Sequence, residues 1–384
     1  MKLLQGVKVA EFCEIAAGPF CAMLLADMGA EVVKVERPAG DAMRTWPPVN
    51  EGYSENFASV NRNKKSVVLD MKTAHGLEAA RAIILDSDVV VENFRPGILA
   101  KFGIDYETMV GEKPELIYCS ISAFGQSGPR SREGGFDLTM QAMAGIMSVT
   151  GEPGGAPVKC GVPLCDFTAA LYGAFSISAA LRHKEKTGEG QNIDVSMLGT
   201  SLSIAALQTS EYFGTGNDPK KLGSAHPRNA PYQAFRAQDG FFGMAAGNNG
   251  LWHSVCDVVG LAELQEDERY INPTLRAQNQ NQLRITLEEI FMSKAVDFWL
   301  KAFADAGVPC SPINSYSSAL KDPQVEYMGW VQDLTLANGV QTKTFVSPLR
   351  FNGETASVEQ RPPLLGEHTQ QVLAKLGLRS TTEE

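Results

Sequence analysis

The feature that most constrains the fold is the alternation of short apolar runs with longer segments of helical spacing. The predicted strands are residues 7–12, 31–36, 88–91, 116–121 and 191–197, and the predicted helices are residues 18–28, 79–85 and 167–186. Strands that alternate with helices of about 10–15 residues form parallel sheets. The first half of the chain therefore predicts an α/β domain. Its first helix is predicted to be amphipathic, with one apolar face formed by Phe20, Met23, Leu24 and Met28.

Length and composition restrict the class of protein. With 384 residues, 44% of them hydrophobic, the chain is long enough for two domains or for one large domain with a satellite. The net charge of −10 argues against a nucleic-acid partner, although a local basic pocket can still hold an anionic ligand. The sequence has no run of 18 apolar residues and no signal-peptide pattern, so we expect no membrane partner. The seven cysteines form no CxxC pair, which predicts neither disulfides nor structural zinc and favours the reducing cytoplasm.

Several common active-site motifs are absent. No GxGxxG, GxxxxGK[ST] or GxSxG pattern occurs, so the sequence supports neither a nucleotide cofactor nor a serine-hydrolase site. The five histidines are isolated, and we expect no metal. Basic residues do gather near the predicted strand ends, at Lys34, Arg37, Arg62, Lys64, Lys65 and Arg95. They either converge on a phosphorylated ligand beyond the sheet or are solvated loop charges.

A single carboxylate, that of Asp166, lies between apolar residues at the start of the longest predicted helix. One interpretation is an N-cap, in which its oxygen accepts a hydrogen bond from a backbone N–H of the first turn. In the other, the positive helix end keeps the carboxylate ionised and stabilises an oxyanion that forms beside it. The residues alone leave both interpretations open.

Short motifs follow one another along nearly the whole chain. They are LQGVKV at residues 4–9, AGP at 17–19, GAEVVKVER at 29–37, NKKSVVLDMK at 63–72, VENFRPG at 91–97, TGEGQ at 187–191 and PLLGEHT at 363–369. In this order they resemble the class III CoA-transferases, the group of formyl-CoA:oxalate and carnitine CoA-transferases, whose relatives are the α-methylacyl-CoA racemases. The resemblance implies acyl-CoA as a substrate, a small carboxylic acid as its partner and no metal.

The resemblance also assigns roles to individual residues. Asp166 falls on the family's aspartate nucleophile, and Ala16 and Ala17 fall along the CoA. Arg37 would meet the nucleotide phosphates, and Lys101 stands where the family often has arginine. The other implied CoA-binding positions are Leu69, Asp70, Met71, Lys72, Asn93, Phe94, Arg95, Gly134, Gly135, Phe136, Asp137 and Met197. Among these, Gly134 replaces a lysine of the formyl-CoA branch, and Asp137 stands where that branch has an acidic neighbour of the nucleophile.

Phe136 separates the two branches of the resemblance. Racemases have a histidine here, which forms an acid/base pair with the aspartate that corresponds to Asp166. A benzyl side chain cannot move a proton, so we expect a CoA-transferase. The implied reaction passes CoA from a donor, for which succinyl-CoA is a candidate, to a carboxylic or dicarboxylic acid through an aspartyl anhydride and an aspartyl-CoA thioester. The alternatives are an acyl-CoA racemase and a catalytically silent CoA-binding protein.

The acceptor site is a further expectation. The family closes its site with a glycine-rich loop, and the matching residues 222–228 contain fewer glycines. We expect Arg44, His226 or Arg228 to pair with a distal carboxylate of the acceptor. The alternative for Arg228 is that it caps a surface turn.

The resemblance implies an architecture as well. It consists of a Rossmann-like large domain formed by both chain ends and a smaller α/β middle domain, in an interlinked homodimer. The predicted boundaries are 1–200 for the large CoA-binding domain, 201–231 for a linker, 232–312 for the small domain and 313–384 for a linker and the return to the large domain.

Overall fold

A six-stranded parallel sheet forms the centre of the first of two units in the computed structural model, which describes residues 2–378. The strands up to residue 196 are β1 (Lys8–Phe12), β2 (Glu31–Glu36), β3 (Val49–Asn50), β4 (Tyr53–Ser54), β5 (Lys64–Val68), β6 (Val89–Glu92), β7 (Ile117–Ser122) and β8 (Gln191–Ser196). The spatial order β5-β2-β1-β6-β7-β8 reverses direction between β1 and β6. Every neighbouring pair in this sheet is parallel, while β3 and β4 form a separate hairpin.

Helices cover both faces of the six-stranded sheet. The helices up to residue 215 are α1 (Ala17–Asp27), α2 (Glu55–Asn61), α3 (Ala74–Asp86), α4 (Tyr106–Met109), α5 (Asp137–Met143), α6 (Ile146–Val149), α7 (Leu164–Thr187), α8 (Met197–Ile204) and α9 (Ala206–Thr215), with 3-10 helices at Ala42–Thr45 and Leu99–Phe102; of these, α6 lies almost entirely in the second unit. One apolar core packs α1 and α7 against the sheet, and a second core packs α3 against the opposite face. Because both faces are covered, the strands are continuous apolar runs rather than alternating ones.

The second unit contains residues 147–158 and 217–322. Its strands are β9 (Tyr232–Arg236), β10 (Phe241–Ala245) and β11 (Cys310–Pro312), which pair antiparallel in the order β11-β10-β9. Its helices are α10 (Asn249–Val259), α11 (Pro273–Gln278), α12 (Gln280–Phe291), α13 (Val296–Asp305) and α14 (Tyr316–Ala319), with a 3-10 helix at Ala262–Gln265. The core of this unit is aromatic, and the Phe242 and Phe291 rings meet edge to face at 5.2 Å.

After Asp322 the chain returns to the first unit. This last part contains α15 (Pro323–Met328), β12 (Val331–Thr335), β13 (Gln341–Phe345), β14 (Arg350–Phe351), β15 (Glu354–Thr355) and α16 (Thr369–Lys375). Val372 and Leu373 of α16 pack into the core on the α3 side of the sheet. The backbone N–H of His368 donates to the carbonyl of Ser66 in β5, at 2.9 Å. Both ends of the chain therefore build the large unit, as the resemblance implies.

Several local features differ from the predictions. β5 is missing from the predicted strands because Lys64 and Lys65 interrupt its apolar pattern. α1 is buried on most of its surface rather than on one face, since it packs against the sheet and against its neighbours α2 and α7. Residues 201–215 belong mostly to α8 and α9 and are not a linker. Within the described chain, α7 alone is long and apolar enough to cross a bilayer, a weak criterion that core helices of soluble proteins also meet.

Candidate active site

A cleft opens at the carboxyl ends of β1 and β6, where the strand order reverses. Ligands of open α/β sheets bind at this point. The cleft has a volume of about 260 Å³ and is lined by Glu14, Ile15, Ala16, Ala17, Asn93, Phe94, Arg95, Pro96, Ile121, Ser122, Ala123, Glu133, Gly134, Gly135, Phe136, Asp166 and Met197. The fold thus brings Asp166 together with nine of the predicted CoA-binding positions.

The loop between β1 and α1 forms one wall of the cleft and is held in an unusual conformation. Ile15 has a φ of 70°, in the left-handed region that β-branched residues rarely adopt. Its N–H donates to Asp41 Oδ1 at 3.1 Å. The side chain of Asn93 fixes both backbone groups of Glu14, because Oδ1 accepts from the N–H at 3.0 Å and Nδ2 donates to the carbonyl at 2.8 Å. The shape of this wall is therefore set before any ligand binds.

The turn from this loop into α1 also requires a glycine. A Cβ at Gly18 would lie 2.3 Å from Cys13 Sγ, so a larger residue would push the loop away from the helix. This contact explains the glycine of the AGP motif.

Four almost completely buried charges support the loop from below. Lys34 Nζ lies 2.9 Å from Glu11 Oε1 and 2.9 Å from Asp41 Oδ2, and it donates to the carbonyl of Cys13 at 2.8 Å. Lys64 Nζ lies 2.9 Å from Glu11 Oε2 and donates to the carbonyl of Pro19 at 2.8 Å. Both interpretations offered for these two lysines are wrong. They are neither phosphate ligands nor solvated loop charges, because carboxylates and carbonyls of the same unit occupy them.

The other basic residues of that group divide between structure and cleft. Arg62 is buried and pairs with Asp27 at 2.5 Å, and Lys65 pairs with Glu31 at 2.6 Å. Arg95 is exposed and lines the cleft. Its guanidinium passes over Gly134, where a Cβ would lie 2.8 Å from Nη2. The lysine-to-glycine replacement at 134 therefore leaves room for the Arg95 side chain.

Asp166 occupies the third position of α7. The helix begins at Leu164 and its N-cap residue is Pro163, so the N-cap interpretation of Asp166 is wrong. Burial and the negative charge of Asp137 raise the pKa of Asp166 to about 7. At neutral pH the side chain is thus poised between its acid and its carboxylate, and the carboxylate is only weakly solvated.

A neighbouring helix supplies the cap that α7 lacks. Asp137, the first residue of α5, accepts a hydrogen bond through Oδ1 from the backbone N–H of Cys165 at 3.0 Å. The Asp137 carboxylate therefore satisfies one of the open N–H groups of α7 and lies at its positive end. Two carboxylates meet there, and only Asp137 is bound to the helix end.

Seven predicted CoA-binding residues are not among those that line the cleft, namely Arg37, Leu69, Asp70, Met71, Lys72, Lys101 and Asp137. Arg37 is exposed, and its Nε lies 3.2 Å from Oε1 of Glu14, which is a lining residue. Leu69 is buried in the core on the α3 side. Asp70 and Lys72 are exposed in the turn before α3, and Lys101 is exposed in a 3-10 helix. Their roles toward CoA stay predictions.

The three predicted acceptor residues lie in different settings. Arg44 binds both oxygens of Glu36 at 2.7 Å and stacks over Phe57 at 3.8 Å, so it would have to leave a formed ion pair to bind an acceptor. His226 and Arg228 belong to the second unit. His226 stacks on Tyr232 at 4.9 Å, and its Nδ1 accepts from the backbone N–H of the exposed Arg228 at 3.1 Å.

Some residues of the site carry no prediction. Ile15, Glu133, Ser122 and Ala123 line the cleft, and Asp41 holds its wall. A signal exists for Ser122 and Ala123, which directly follow the predicted strand 116–121 at the edge of the sheet where ligands bind. The positive φ of Ile15 and the buried partners of Asp41 have no local signal in the sequence.

The fold and the site define an α/β protein with a cleft at the sheet switch point and a carboxyl group of raised pKa inside it. The family model of CoA-transferase family III matches residues 4–369, and the chain belongs to this family. A succinate–glutarate CoA-transferase of Agrobacterium fabrum is 39% identical, over 97% of this chain and 95% of its own. The human succinyl-CoA:glutarate CoA-transferase is 37% identical, over 98% of this chain and 86% of its own.

The three-dimensional comparison agrees with the sequence. The crystal structure of a CAIB/BAIF family protein from Brucella suis superposes with a TM-score of 0.86 at 38% identity, over 97% of this chain and 99% of that one. The resemblance to class III CoA-transferases is therefore confirmed, and the chain is a CoA-transferase that uses acyl-CoA as substrate. Residues 2–378 contain no group of three or more His, Cys, Asp or Glu side chains arranged to hold a metal ion.

Proposed function

We propose that this CoA-transferase moves CoA from a donor such as succinyl-CoA to a dicarboxylic acid, with Asp166 as the covalent nucleophile. The observation that carries the proposal is the Asp166 carboxyl group in the cleft, whose pKa is raised by burial and by Asp137. A carboxylate that has lost part of its hydration is a better nucleophile toward a thioester. The dicarboxylate class is supported by the similarity to enzymes that are named for succinate and glutarate.

The proposed reaction consists of two mirrored exchanges. An oxygen of the Asp166 carboxylate attacks the donor thioester, the C–S bond breaks, and CoA leaves as a thiolate from an aspartyl anhydride. The thiolate attacks the aspartyl carbonyl, which releases the donor carboxylate and forms an aspartyl-CoA thioester. The acceptor carboxylate attacks this thioester and displaces the thiolate. The thiolate then attacks the acceptor carbonyl of the new anhydride, which frees acceptor-CoA and Asp166. No proton is gained or lost overall.

Chemical trapping tests the role of Asp166. After incubation with succinyl-CoA, hydroxylamine should convert Asp166 to a hydroxamate that peptide mass spectrometry locates. Asp166→Asn should lose the label and at least about 10³-fold of transfer activity, because a neutral amide is too weak a nucleophile to attack the thioester. Asp88→Asn is a matched control, since this half-buried aspartate pairs with Lys184. A wild-type protein without label at Asp166, or an active Asp166→Asn variant, would contradict the proposal.

A substrate panel tests the choice of acceptor. Succinyl-, acetyl- and oxalyl-CoA as donors, each with mono- and dicarboxylic acids, should give the highest kcat/KM with succinyl-CoA and a dicarboxylate. Arg228→Ala should then lower kcat/KM for dicarboxylates by about tenfold and leave monocarboxylates unchanged, if Arg228 binds the distal carboxylate. An equal loss for both classes would contradict that role.

We extend the proposal to an interlinked homodimer in the cytoplasm. It is supported by exposed apolar side chains on α7 and α9, where Leu171, Phe175, Leu207 and Phe213 are 54%, 72%, 60% and 81% exposed. Such a surface is typical of an obligate interface. All seven cysteines are free, which suits a reducing compartment. Light scattering of the purified protein should give twice the mass of the chain, and a monomer at micromolar concentration would contradict the dimer.

A further inference from the structure

A fully buried glutamine lies behind the two carboxylates of the site. Gln141, in α5, has no exposed surface. Its Nε2 donates to Asp137 Oδ2 at 2.8 Å, and its Oε1 accepts from the backbone N–H of Cys160 at 2.8 Å. A backbone N–H can only donate, so Cys160 fixes which end of the amide is the oxygen. The Nε2 group must therefore face Asp137.

This arrangement determines which helix the Asp137 carboxylate binds. Asp137 is the first residue of α5, where a carboxylate normally binds the open N–H groups of its own helix. Here Oδ1 accepts instead from Cys165 in the first turn of α7, at 3.0 Å. Gln141 stands four positions after Asp137, the spacing at which glutamine and aspartate pair on a helix surface. Its bond to Oδ2 leaves Oδ1 directed at α7.

The same glutamine also fixes the approach to α7. Cys160 lies in the segment that leads into this helix, three residues before the N-cap Pro163. Gln141 thus joins three points: Asp137 on α5, the entry segment at Cys160 and, through Asp137, the N–H of Cys165. The residue after Cys165 is Asp166, so its distance from the Asp137 carboxylate depends on this chain of bonds.

We propose that Gln141 is a positioning residue, which holds Asp137 across to the first turn of α7 and thereby sets the place and the electrostatic surroundings of Asp166. The inference rests on the proposed role of Asp166 as nucleophile. Gln141 contacts neither the cleft nor a reacting atom, so it acts only through Asp137. Displacements of about 1 Å in such a site can cost about 10²-fold in rate.

Two variants separate the hydrogen bonds from packing. Gln141→Met keeps the length of the side chain and removes both bonds. Gln141→Leu also removes both bonds but has a different shape, so an effect that the two variants share comes from the lost hydrogen bonds and not from the packing of one side chain. Ser87→Ala is the control for lost stability. Ser87 is the buried residue that directly follows α3, and its hydroxyl donates to the carbonyl of Ile83 in that helix.

The measurements are kcat, KM for succinyl-CoA, the pH profile of kcat/KM and the midpoint of thermal unfolding. Both Gln141 variants should lower kcat by about 10- to 100-fold at pH 8, with KM within about twofold of the wild type. In Gln141→Met the acidic limb of the profile should move to lower pH, since a released Asp137 no longer opposes ionisation of Asp166. Cys160 and Cys165 are also close to this pair, and the charged residues Glu14, Arg95 and Glu133 line the same cleft as Asp166. Ser87→Ala should lose stability without a change in kcat or in the profile.

The results distinguish this inference from the proposed function. If the wild-type protein is labelled at Asp166 by hydroxylamine but Gln141→Met keeps the wild-type kcat and pH profile, Gln141 has only a structural role and the inference fails. A fully active Gln141→Leu variant would likewise exclude the donor role. If the wild-type protein is not labelled, the nucleophile itself is wrong, and the inference falls with it.

Discussion

Two groups of charged side chains lie in the large unit, and they differ in how completely their charges are neutralised. Beneath the β1–α1 loop, Glu11 and Asp41 face Lys34 and Lys64, and every charge has a partner at 2.9 Å. At the start of α7, Asp137 and Asp166 bring two negative charges together, with no basic side chain among the causes that shift the pKa of Asp166. Burial disfavours the charges of both groups, and it lowers the pKa of Lys64 in the first one, but only the first group contains opposite charges that offset this cost.

The difference separates a structural site from a chemical one. Paired buried charges are satisfied in the folded state and have nothing left to offer a substrate. The negative charge of the Asp166 carboxylate has no basic partner to offset its burial. Acylation removes this charge and therefore relieves the free-energy cost of keeping it in the site. Strain of this kind is retained where function requires it.

Breaking the paired group should have the largest effect on stability. Lys64→Met removes one of the two cations of Glu11 and leaves that carboxylate partly unpaired in the core, which should cost about 3–5 kcal/mol of the free energy of unfolding. Urea denaturation measures this loss. Lys65→Met, one residue further on, breaks an ion pair whose glutamate is 40% exposed and should cost less than about 1 kcal/mol. Equal losses of the free energy of unfolding in the two variants would contradict the expected difference between a buried and a partly exposed ion pair.

The uncompensated group should control the pH dependence of activity. Attack on the thioester needs the carboxylate form of Asp166, and its pKa is raised to about 7. Below that value, kcat/KM should therefore fall by about tenfold for each pH unit, and above it the profile should level off. Initial rates between pH 5 and pH 9 at low succinyl-CoA concentration test this. A profile that is flat down to pH 5 would mean that Asp166 ionises as an ordinary aspartate.

The same carboxyl group should make the protein less stable at high pH. Its folded pKa of about 7 lies above its ordinary value of 3.8, so the folded state binds the proton more tightly than the unfolded state does. Well above pH 7 the ionisation of Asp166 therefore costs stability. This cost decreases as the pH falls through 7 and vanishes below about pH 4. Asp166→Asn should therefore raise the free energy of unfolding by up to about 4 kcal/mol at pH 8 and by less than about 1 kcal/mol at pH 4. A variant that is less stable than the wild type at pH 8 would contradict this.

Local patterns allowed much of this structure to be predicted. Hydrophobic spacing predicted five of the six strands of the parallel sheet. It missed β5, because Lys64 and Lys65 at the start of this strand resemble a loop sequence. The sequence placed Asp166 at the start of a long helix. It did not show that Asp166 is the third residue of α7 or that Asp137 caps this helix, because helix starts are poorly defined by composition. The motifs, and not the spacing, identified the family.

By itself, the sequence determined the alternating strands and helices, the position of Asp166 at a helix start and membership of CoA-transferase family III. The tertiary structure decided which charges meet. Asn93 holds Glu14 across 79 residues, Asp137 caps Cys165 across 28, and Lys34 lies beside Glu11 across 23. Periodicity records which face of an element is buried, but it contains no information on which distant side chain will lie opposite. The partners of a charge decide whether it is structural or reactive, so only the folded chain separates Lys34 and Lys64 from Asp166.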